Sequence, residues 1–374
     1  MLTSFSSPLI MDELTQTKRD HFLMTSLNNN NNMTNVPNTT NMHHEEFKHP
    51  LIDLEGYFKG DELAIQQIAK NIRAACLSHG IFQVINHRVD SRLITDAHNQ
   101  TNHFFNLPSN KKNRVKKKPG TMWGFNGLYH DSFPTKSSSS WKETLTFGFN
   151  DEDSNSVVLD FFKSTGLGKD SERMGIVYQK YCEEMKELSL VIMEILGMSL
   201  GLDPLCYKKF FEDSRSIMRC NYYPACGKLH DQAMGTGPHC DPTSLTILHQ
   251  DEVGGLEVFV NNKWQPVLPR RDAFVINLGD TFTALSNGRY KSCLHRAVLN
   301  KDKDRVSLAF FVSPREDKVV SPPKDLVCRD RARKYPDFTW SDFLYFTQYH
   351  HKPDGTTLQS FIQWFLLSKS PTTT

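Results

Sequence analysis

The sequence has no apolar run that approaches the roughly 18 residues of a membrane-spanning helix. Its N-terminal stretch also lacks a basic flank followed by a hydrophobic segment, because Asp12 and Glu13 interrupt the place where that segment would lie. The eight cysteines never form a Cys-x-x-Cys pair, which indicates reduced thiols and no disulfide framework. We therefore expect a soluble cytoplasmic protein that has no membrane partner.

The chain also has no large excess of charge of either sign. Its net charge is +2, so no global field attracts it to nucleic acid. The dense basic run within residues 111–118 has no interleaved aromatic residues that would stack on bases, and we expect it to be a solvated loop. Composition thus predicts a protein that does not bind nucleic acid.

Apolar residues are scarce in the N-terminal tail, residues 1–48. Residues 28–32 are all Asn, and the stretch that follows, up to Met42, is mostly Asn, Thr and Pro. Asn side chains compete with helices and sheets through local hydrogen bonds, and this stretch presents no apolar face. We predict a disordered Asn-rich tail, with assembly through the Asn tract as an open alternative.

Regular structure is predicted to follow the tail. Residues 50–54 and 81–87 are typical of short strands, and apolar residues recur at helical spacing after Asp61, a candidate N-cap. Residues 171–200 carry an apolar stripe opposite a charged face, which predicts a long scaffold helix. We expect residues 49–205 to form an N-terminal αβ region that includes this helix.

A series of short strands is predicted next. The segments with strand-like patterns are residues 218–223, 244–249, 256–260, 273–278 and 306–312. Short strands separated by turn signals favour a barrel or a two-sheet jelly roll. We predict an α+β fold with a double-stranded β-helix (jelly-roll) core over residues 206–316 and flanking helices. Residues 317–374 are expected to form C-terminal helices, at 340–350 and 358–367, that cover the core, and a role as pocket lid or as core packing stays open.

Three residues of this region are candidate metal ligands. His239 and Asp241 lie two positions apart in a stretch that is predicted to be extended, so their side chains point to one face and can converge on one ion. His295 would reach the same ion from another strand. Two imidazoles and one carboxylate form the ligand set of a facial-triad ferrous site, which leaves further positions on the iron open.

A second group of residues is suited to hold a carboxylate. Arg305 and Ser307 share one face of a segment that alternates with a period of two, while the apolar residues take the other face. An Arg fork beside a hydroxyl can bind a carboxylate through charge-assisted hydrogen bonds. Asn221 and Tyr223 add an amide and a phenol ahead of the first candidate metal ligand.

Together these motifs resemble those of the plant soluble 2-oxoglutarate- and Fe(II)-dependent dioxygenases, and more narrowly those of the gibberellin 20-oxidases. The stretches that carry the resemblance are residues 239–251, 253–256, 279–282, 292–296 and 335–340. The site residues that the resemblance implies are, for iron, His239, Asp241 and His295, and, for 2-oxoglutarate, Asn221, Tyr223, Ser307 and the catalytic Arg305. The cofactors it implies are Fe(2+), 2-oxoglutarate, O2 and ascorbate as reductant.

A further segment resembles the gibberellin-recognition motif of the same family. The implied substrate-binding residues are Trp141, Lys142, Glu143 and Thr144. In gibberellin 20-oxidases this tetrad normally follows Leu-Pro, whereas Ser139 and Ser140 stand there in this chain. Lys142 would pair with a carboxylate of a diterpenoid acid, and ordinary exposed charges at positions 142 and 143 are the alternative.

The resemblance implies an enzyme that oxidises and removes carbon-20 of twenty-carbon gibberellins to give nineteen-carbon lactones. We expect a monomer, although no sequence feature specifies the oligomeric state. Two alternatives of different classes stay open. One is a related 2-oxoglutarate dioxygenase that acts on another gibberellin position or on a flavonoid. The other is a non-enzymatic jelly-roll metal-binding protein, which Arg305 and Ser307 disfavour because a purely structural metal site needs no carboxylate clamp.

Overall fold

The fold is described from a computed structural model of the chain. The residues that the structure describes are 50–118, 120–128, 141–150, 157–227, 234–350 and 354–369. All of them belong to one unit, Phe47–Thr374. The predicted tail of residues 1–48 and the pair Ser139 and Ser140 lie outside the described residues.

Most strands are short, as the turn-rich sequence predicts. In chain order they are β1 (Leu51–Asp53), β2 (Ile81–Ile85), β3 (Gly124–Asn126), β4 (Glu143–Phe149), β5 (Arg215–Tyr223), β6 (Met234–His239), β7 (Leu245–Gln250), β8 (Leu256–Val260), β9 (Lys263–Pro266), β10 (Phe274–Leu278), β11 (His295–Val298), β12 (Arg305–Ser313), β13 (Val319–Val320) and β14 (Phe338–Thr339). The five strands predicted for the core correspond to β5, β7, β8, β10 and β12.

Helices precede, interrupt and follow the core strands. In chain order they are α1 (Glu55–Lys59), α2 (Glu62–Ser78), α3 (Ser91–Phe105), α4 (Ser109–Lys112), α5 (Val157–Ser164), α6 (Lys169–Ser199), α7 (Leu205–Phe211), α8 (Asp280–Leu285), α9 (Lys324–Asp330), α10 (Trp340–Tyr349) and α11 (Thr357–Lys369). Asp61 caps α2 as predicted, because its carboxylate accepts bonds from the backbone N–H groups of Leu63 and Ala64. Among these helices none is both long and apolar enough to cross a membrane.

The strands form two main sheets that together supply the walls of one cavity. The larger sheet has the order β1-β2-β10-β7-β12-β5-β4-β3, and the smaller sheet has the order β6-β11-β8-β9. Apart from the parallel pair β1 and β2, the pairings in both sheets are antiparallel. Strands β1 to β4 extend the larger sheet at its two edges, so residues before position 205 share a sheet with the core. The domain boundaries at 205 and 316 stay a prediction.

Strand β12 shows how the sequence divides the larger sheet into two faces. Leu308, Phe310 and Val312 are completely buried in the main hydrophobic core, to which α6 also contributes. The alternate residues Arg305, Ser307, Ala309 and Phe311 line the cavity on the opposite face. Successive side chains of a strand point to opposite faces, so the period-two pattern of β12 places apolar residues in the core that contains α6 and the polar Arg305 and Ser307 in the cavity.

The two C-terminal helices play different roles. Helix α10 contributes Trp340, Leu344, Thr347 and Gln348 to the wall of the cavity. Helix α11 instead buries Phe361 and Phe365 in the main core. Helix α10 also buries Trp340, Phe343 and Phe346 in that core. Of the two roles that the sequence left open, both helices therefore pack in the core, and among the described residues of the two helices only those of α10 line the cavity.

Candidate active site

The three predicted metal ligands form one cluster. The ligand atoms of His239, Asp241 and His295 all lie within 4.8 Å of one another. The Oδ1 atom of Asp241 is 3.5 Å from Nε2 of His239 and 3.9 Å from Nε2 of His295. Within the described residues this is the one cluster of at least three His, Cys, Asp or Glu side chains with metal-binding spacing.

Strand register brings the ligands together. His239 ends β6 and pairs directly with His295 at the start of β11, so the two imidazoles project side by side. Asp241 follows β6 and is held from behind by the backbone of α8. The N–H group of Asp280 donates to the Asp241 carbonyl at 2.8 Å. A Cβ atom at Gly279 would lie 2.0 Å from the carbonyl oxygen of Thr243, so the close approach of these two segments requires glycine.

Hydrogen bonds to neighbouring groups set the direction of each ligand atom. Nδ1 of His239 lies 2.8 Å from the carbonyl oxygen of Gly237, and Nδ1 of His295 lies 2.9 Å from that of Cys293. A carbonyl can only accept, so both Nδ1 atoms carry the proton and both Nε2 lone pairs are free for a metal. The Thr246 hydroxyl donates to Oδ2 of Asp241 at 2.6 Å, which leaves Oδ1 facing the imidazoles.

The electrostatics of the cluster keep its side chains in the forms that bind metals. Burial by itself would raise the pKa of Asp241, but His295, His239 and the Thr246 hydroxyl lower it well below its usual range. Burial, followed by the influence of His239, lowers the pKa of His295 to about 4. An ionised carboxylate at Asp241 and a neutral imidazole at His295 are forms that the ligand set of a facial-triad ferrous site requires, and His239 adds the second imidazole, so the residues present fit iron(II).

The predicted carboxylate clamp is assembled on β5 and β12. Arg305 pairs in register with Tyr223, and Ser307 pairs with Asn221. Arg305 is only 2% exposed, and its guanidinium lies 4.9 Å from the centre of the Tyr223 ring. Its two terminal nitrogens donate to Oε1 of Gln250 at 3.1 Å and to the Ser307 hydroxyl at 3.5 Å. Its buried Nε atom has no hydrogen-bond partner in the described part of the chain, which fits a clamp completed by a bound carboxylate.

Both groups open into one cavity of about 490 Å³. Its walls come from both sheets, from α10 and from residues near the N-terminal side of β3 and β4. The polar and charged residues of its lining are Lys117, Lys142, Arg219, Asn221, Tyr223, Thr236, His239, Asp241, Thr243, Thr246, Asn277, His295, Arg305, Ser307, Thr347 and Gln348. A cavity of this size can hold a small dicarboxylic acid together with part of a larger substrate.

The structure separates the four residues of the predicted substrate tetrad. Lys142 lines the cavity, and its ammonium group donates to the Thr236 hydroxyl at 2.8 Å. Trp141 packs against the cluster that contains Tyr223 and is tied to β6 by a backbone bond to Met234. Thr144 is a buried strand residue, and neither it nor Trp141 is among the described residues that line the cavity.

Glu143, the fourth residue of the tetrad, lies in an ion pair. Its carboxylate is 2.7 Å from the ammonium group of Lys112, which is only 9% exposed and also donates to the Phe105 carbonyl. The expectation that the basic run is a solvated loop is therefore wrong for Lys112. This side chain is buried because it finds a carboxylate on β4, a partner that is not visible from the run itself.

Sequence reasoning missed several cavity residues. Arg219 lines the cavity two positions before Asn221, and the spacing of Arg219, Asn221 and Tyr223 along β5 carried a usable signal, since alternate residues of a strand share a face. The four residues of α10 carried no comparable signal. Their helical pattern predicts an amphipathic helix and does not say which cavity the helix covers.

Comparison with known families agrees with this geometry. Residues 214–314 match the 2OG-Fe(II) oxygenase superfamily, and residues 49–163 match the family described as non-haem dioxygenase in morphine synthesis N-terminal. The chain is 53% identical to gibberellin 20 oxidase 2 of Oryza sativa subsp. japonica over 319 residues, which are 85% of this chain and 80% of the relative. It is 51% identical to gibberellin 20 oxidase 1 of Arabidopsis thaliana over 84% of this chain and 82% of that relative. The chain belongs to the gibberellin 20-oxidase family.

Solved structures of related enzymes confirm the jelly-roll fold. The crystal structure of JOX2 in complex with 2OG, Fe and JA aligns with a TM-score of 0.72 and 32% identity, covering 84% of this chain and 89% of that one. The dioxygenase for auxin oxidation from rice aligns with a TM-score of 0.69 and 26% identity over 83% of this chain and 99% of that one. The enzyme is thus an α+β 2-oxoglutarate-dependent dioxygenase that uses iron(II), O2 and ascorbate as reductant.

Proposed function

We propose that this enzyme oxidises carbon-20 of twenty-carbon gibberellins in successive steps, coupled to decarboxylation of 2-oxoglutarate to succinate and carbon dioxide. The methyl carbon passes through the alcohol and the aldehyde and is then lost, which leaves a nineteen-carbon lactone. One observation carries the proposal. The His239, Asp241 and His295 cluster and the Arg305 clamp converge on one cavity, in a chain that is 53% identical to a rice gibberellin 20 oxidase.

In this proposal the iron is held by Nε2 of His239, Nε2 of His295 and Oδ1 of Asp241. Bound there, iron(II) supplies activation of O2 and oxidation of an unactivated substrate carbon. The protein orients both imidazoles through their Nδ1–H bonds to backbone carbonyls, so that each Nε2 faces the metal position. Thr246 fixes the carboxylate of Asp241 from its outer oxygen.

The co-substrate is proposed to lie along the ladder between β5 and β12. Arg305 and Ser307 bind the carboxylate of 2-oxoglutarate that is remote from the metal, and Gln250 orients the guanidinium. The Tyr223 ring packs against the guanidinium, and the amide of Asn221 donates to the Ser307 hydroxyl at 3.3 Å. This clamp selects a dicarboxylic acid because the buried guanidinium of Arg305 lacks a counter-ion unless the bound acid supplies a second carboxylate.

We assign substrate binding to the tetrad, with different roles for its members. Lys142 contacts a carboxylate of the diterpenoid acid, since it lies in the cavity with a hydroxyl as its hydrogen-bond partner. Trp141, Glu143 and Thr144 support it from positions outside the cavity lining, and Glu143 does so through its ion pair with Lys112. Burial lowers the pKa of Lys142, so a bound carboxylate also stabilises its charged form.

The proposal includes a monomer that acts in the cytoplasm. Eight unpaired cysteines, of which six are buried and only Cys328 is exposed, are typical of a reducing compartment. Size-exclusion chromatography with light scattering would measure the mass of the particle. Imaging of a tagged chain in plant cells would test the compartment, and secretion would contradict this part of the proposal.

The proposed reaction is tested by turnover of the purified enzyme. It is loaded with Fe(II) without oxygen and then supplied with O2, 2-oxoglutarate, ascorbate and a panel of labelled gibberellins and flavanones. Mass spectrometry should detect stepwise oxidation and loss of carbon-20. If succinate formed and only a flavanone were converted, the substrate would be a flavanone and not a gibberellin. A complete lack of succinate would overturn the proposed reaction.

A further inference from the structure

The cavity contains a half-buried arginine to which neither the metal nor the co-substrate gives a role. Arg219 lies in the middle of β5, with its side chain in the cavity wall. Its Nε atom donates to the Thr146 hydroxyl at 3.2 Å, and its guanidinium lies 5.3 Å from the centre of the Phe311 ring. No described carboxylate lies within 4.0 Å of it, the distance of an ion pair.

Arg219 is offset from the clamp along the sheet. Along β12, Arg305 pairs with Tyr223 and Ala309 pairs with Arg219, so the two arginines are offset by four residues along the ladder. Four residues of a strand span about 13 Å. The two guanidiniums also have different partners, because Arg305 donates to Gln250 and Ser307 whereas Arg219 donates to Thr146. Arg219 is therefore not part of the clamp, which indicates that it serves another ligand.

The chemistry of a desolvated cation indicates what that ligand is. Burial lowers the pKa of Arg219, while Asp241 and Tyr223 counteract that effect from a distance. A hydroxyl and an aromatic face satisfy part of a guanidinium but leave its charge without a counter-ion. An anionic group of a bound ligand completes such a site, and the planar fork favours a carboxylate.

We propose that Arg219 binds a carboxylate of the substrate, at the centre of the β5–β12 ladder, four residues from the 2-oxoglutarate clamp. The proposal rests on the proposed function, because the twenty-carbon gibberellins carry two carboxyl groups. Lys142 and Arg219 then provide one cation for each of them, and Arg305 provides a third for the co-substrate. The substrate is thereby recognised as a diacid and oriented by both of its charged groups.

The test compares binding of a gibberellin diacid with that of its dimethyl ester. Equilibrium dialysis is carried out without oxygen on enzyme loaded with Fe(II) and 2-oxoglutarate, so that binding is measured without turnover. The variants are Arg219→Met, Arg219→Lys and the control Lys118→Met, which removes one positive charge from an exposed side chain outside the cavity lining. In Arg219→Met the ratio of diacid to ester affinity should fall roughly 10- to 100-fold, the value of a charged hydrogen bond.

Three results decide the assignment. Arg219→Lys should recover part of the ratio and Lys118→Met should keep all of it, which separates a specific contact from the general effect of removing one positive charge. An unchanged ratio in Arg219→Met, or an equal fall in Lys118→Met, would overturn the assignment while leaving the proposed function in place. A wild-type enzyme that binds neither gibberellin would overturn the proposed function and, with it, the role of Arg219. Thermal unfolding of each variant, and the ester affinity itself, identify a fall that is caused by misfolding.

Discussion

At the metal end of the cavity the contacts that orient the reactive atoms are local in sequence, whereas at the substrate end they join distant segments. His239 and His295 each bond to a carbonyl two residues upstream, and Asp241 bonds to Thr246 five residues downstream. The substrate end instead combines β5 with residues before β3 and with α10. There Gln348 contacts the Met122 sulfur at 3.3 Å, across 226 positions of the chain.

This difference separates two tasks. Local hydrogen bonds fix side-chain directions to within the narrow limits that metal ligation requires, and they form with the strands themselves. A wall assembled from distant segments can change shape when one segment changes and leave the metal geometry intact. We therefore expect variants at the metal end to reduce chemistry or cofactor affinity, and variants at the substrate end to change selectivity.

The largest effect is expected for the metal ligands. His239→Ala and Asp241→Ala each remove one of three ligands and should abolish succinate release, while circular dichroism shows an intact fold. Bound iron, measured by elemental analysis, should fall in parallel. Near-normal turnover in both variants would contradict the assignment of this cluster as the iron site.

A smaller but still large effect is expected for the clamp. Arg305→Ala should raise the KM for 2-oxoglutarate by roughly 10- to 100-fold, because it removes a charged, two-pronged contact. Arg305→Lys should be intermediate, since lysine keeps the charge and loses the fork. The exposed Arg270, which pairs with Asp272, provides a matched control that should leave this KM unchanged. If only the KM for the gibberellin rose, the assignment of Arg305 to 2-oxoglutarate would be wrong.

Thr246 tests whether local bonds matter to the metal. Thr246→Val keeps the shape of the side chain and removes the hydroxyl that holds Oδ2 of Asp241. Loss of such an outer contact should weaken iron binding at least about 10-fold, measured by titration with Fe(II) in the absence of oxygen. Thr283→Val, on α8 and outside the cavity lining, is the matched control. Equal iron affinity in wild type and Thr246→Val would show that the strand alone orients the carboxylate.

Leu344 on α10 tests the substrate end. Leu344→Ala removes apolar contact from the cavity wall and should lower kcat/KM for the gibberellin by roughly 10-fold. The KM for 2-oxoglutarate should stay the same, because the clamp lies on another wall. Leu366→Ala changes an exposed leucine of α11 and should alter neither constant. If Leu344→Ala changed the iron affinity, the two ends of the cavity would not be independent.

The smallest effect at neutral pH is expected behind the clamp, where His98 of α3 contacts His249 of β7 at 2.8 Å. Burial, with His249 adding to it, lowers the pKa of His98 from 6.5 to about 3. Between these pH values the unfolded chain binds more protons than the folded chain, so stability is lost as the pH falls below 6.5. His98→Leu should reduce this loss by up to about 1.4 kcal/mol per pH unit, measured by denaturant unfolding at pH 7 and pH 5. An unchanged pH dependence would mean that His98 does not remain neutral in the folded state.

Much of the fold and of the metal site could be predicted from local patterns. The alternation of residues 305–312 predicted both faces of β12, and the two-residue spacing of His239 and Asp241 predicted that they share a face. The cap at Asp61 and the length of α6 followed from side-chain chemistry and helical spacing. These features depend on neighbours within a few residues, where strand and helix geometry fix the direction of each side chain.

The sequence by itself therefore determined which side chains share a face, and with that the candidate ligand set, the candidate carboxylate clamp and the family resemblance. Only the tertiary structure decided which faces meet. It brought Arg219 into the cavity, paired Glu143 with a buried Lys112 and gave α10 the outer wall. Such contacts join residues that are far apart in the chain, and their formation depends on the pairing of strands and the exclusion of water. A local sequence pattern predicts which ligands one face of a strand or helix can bind. Long-range packing determines which other segments that face contacts.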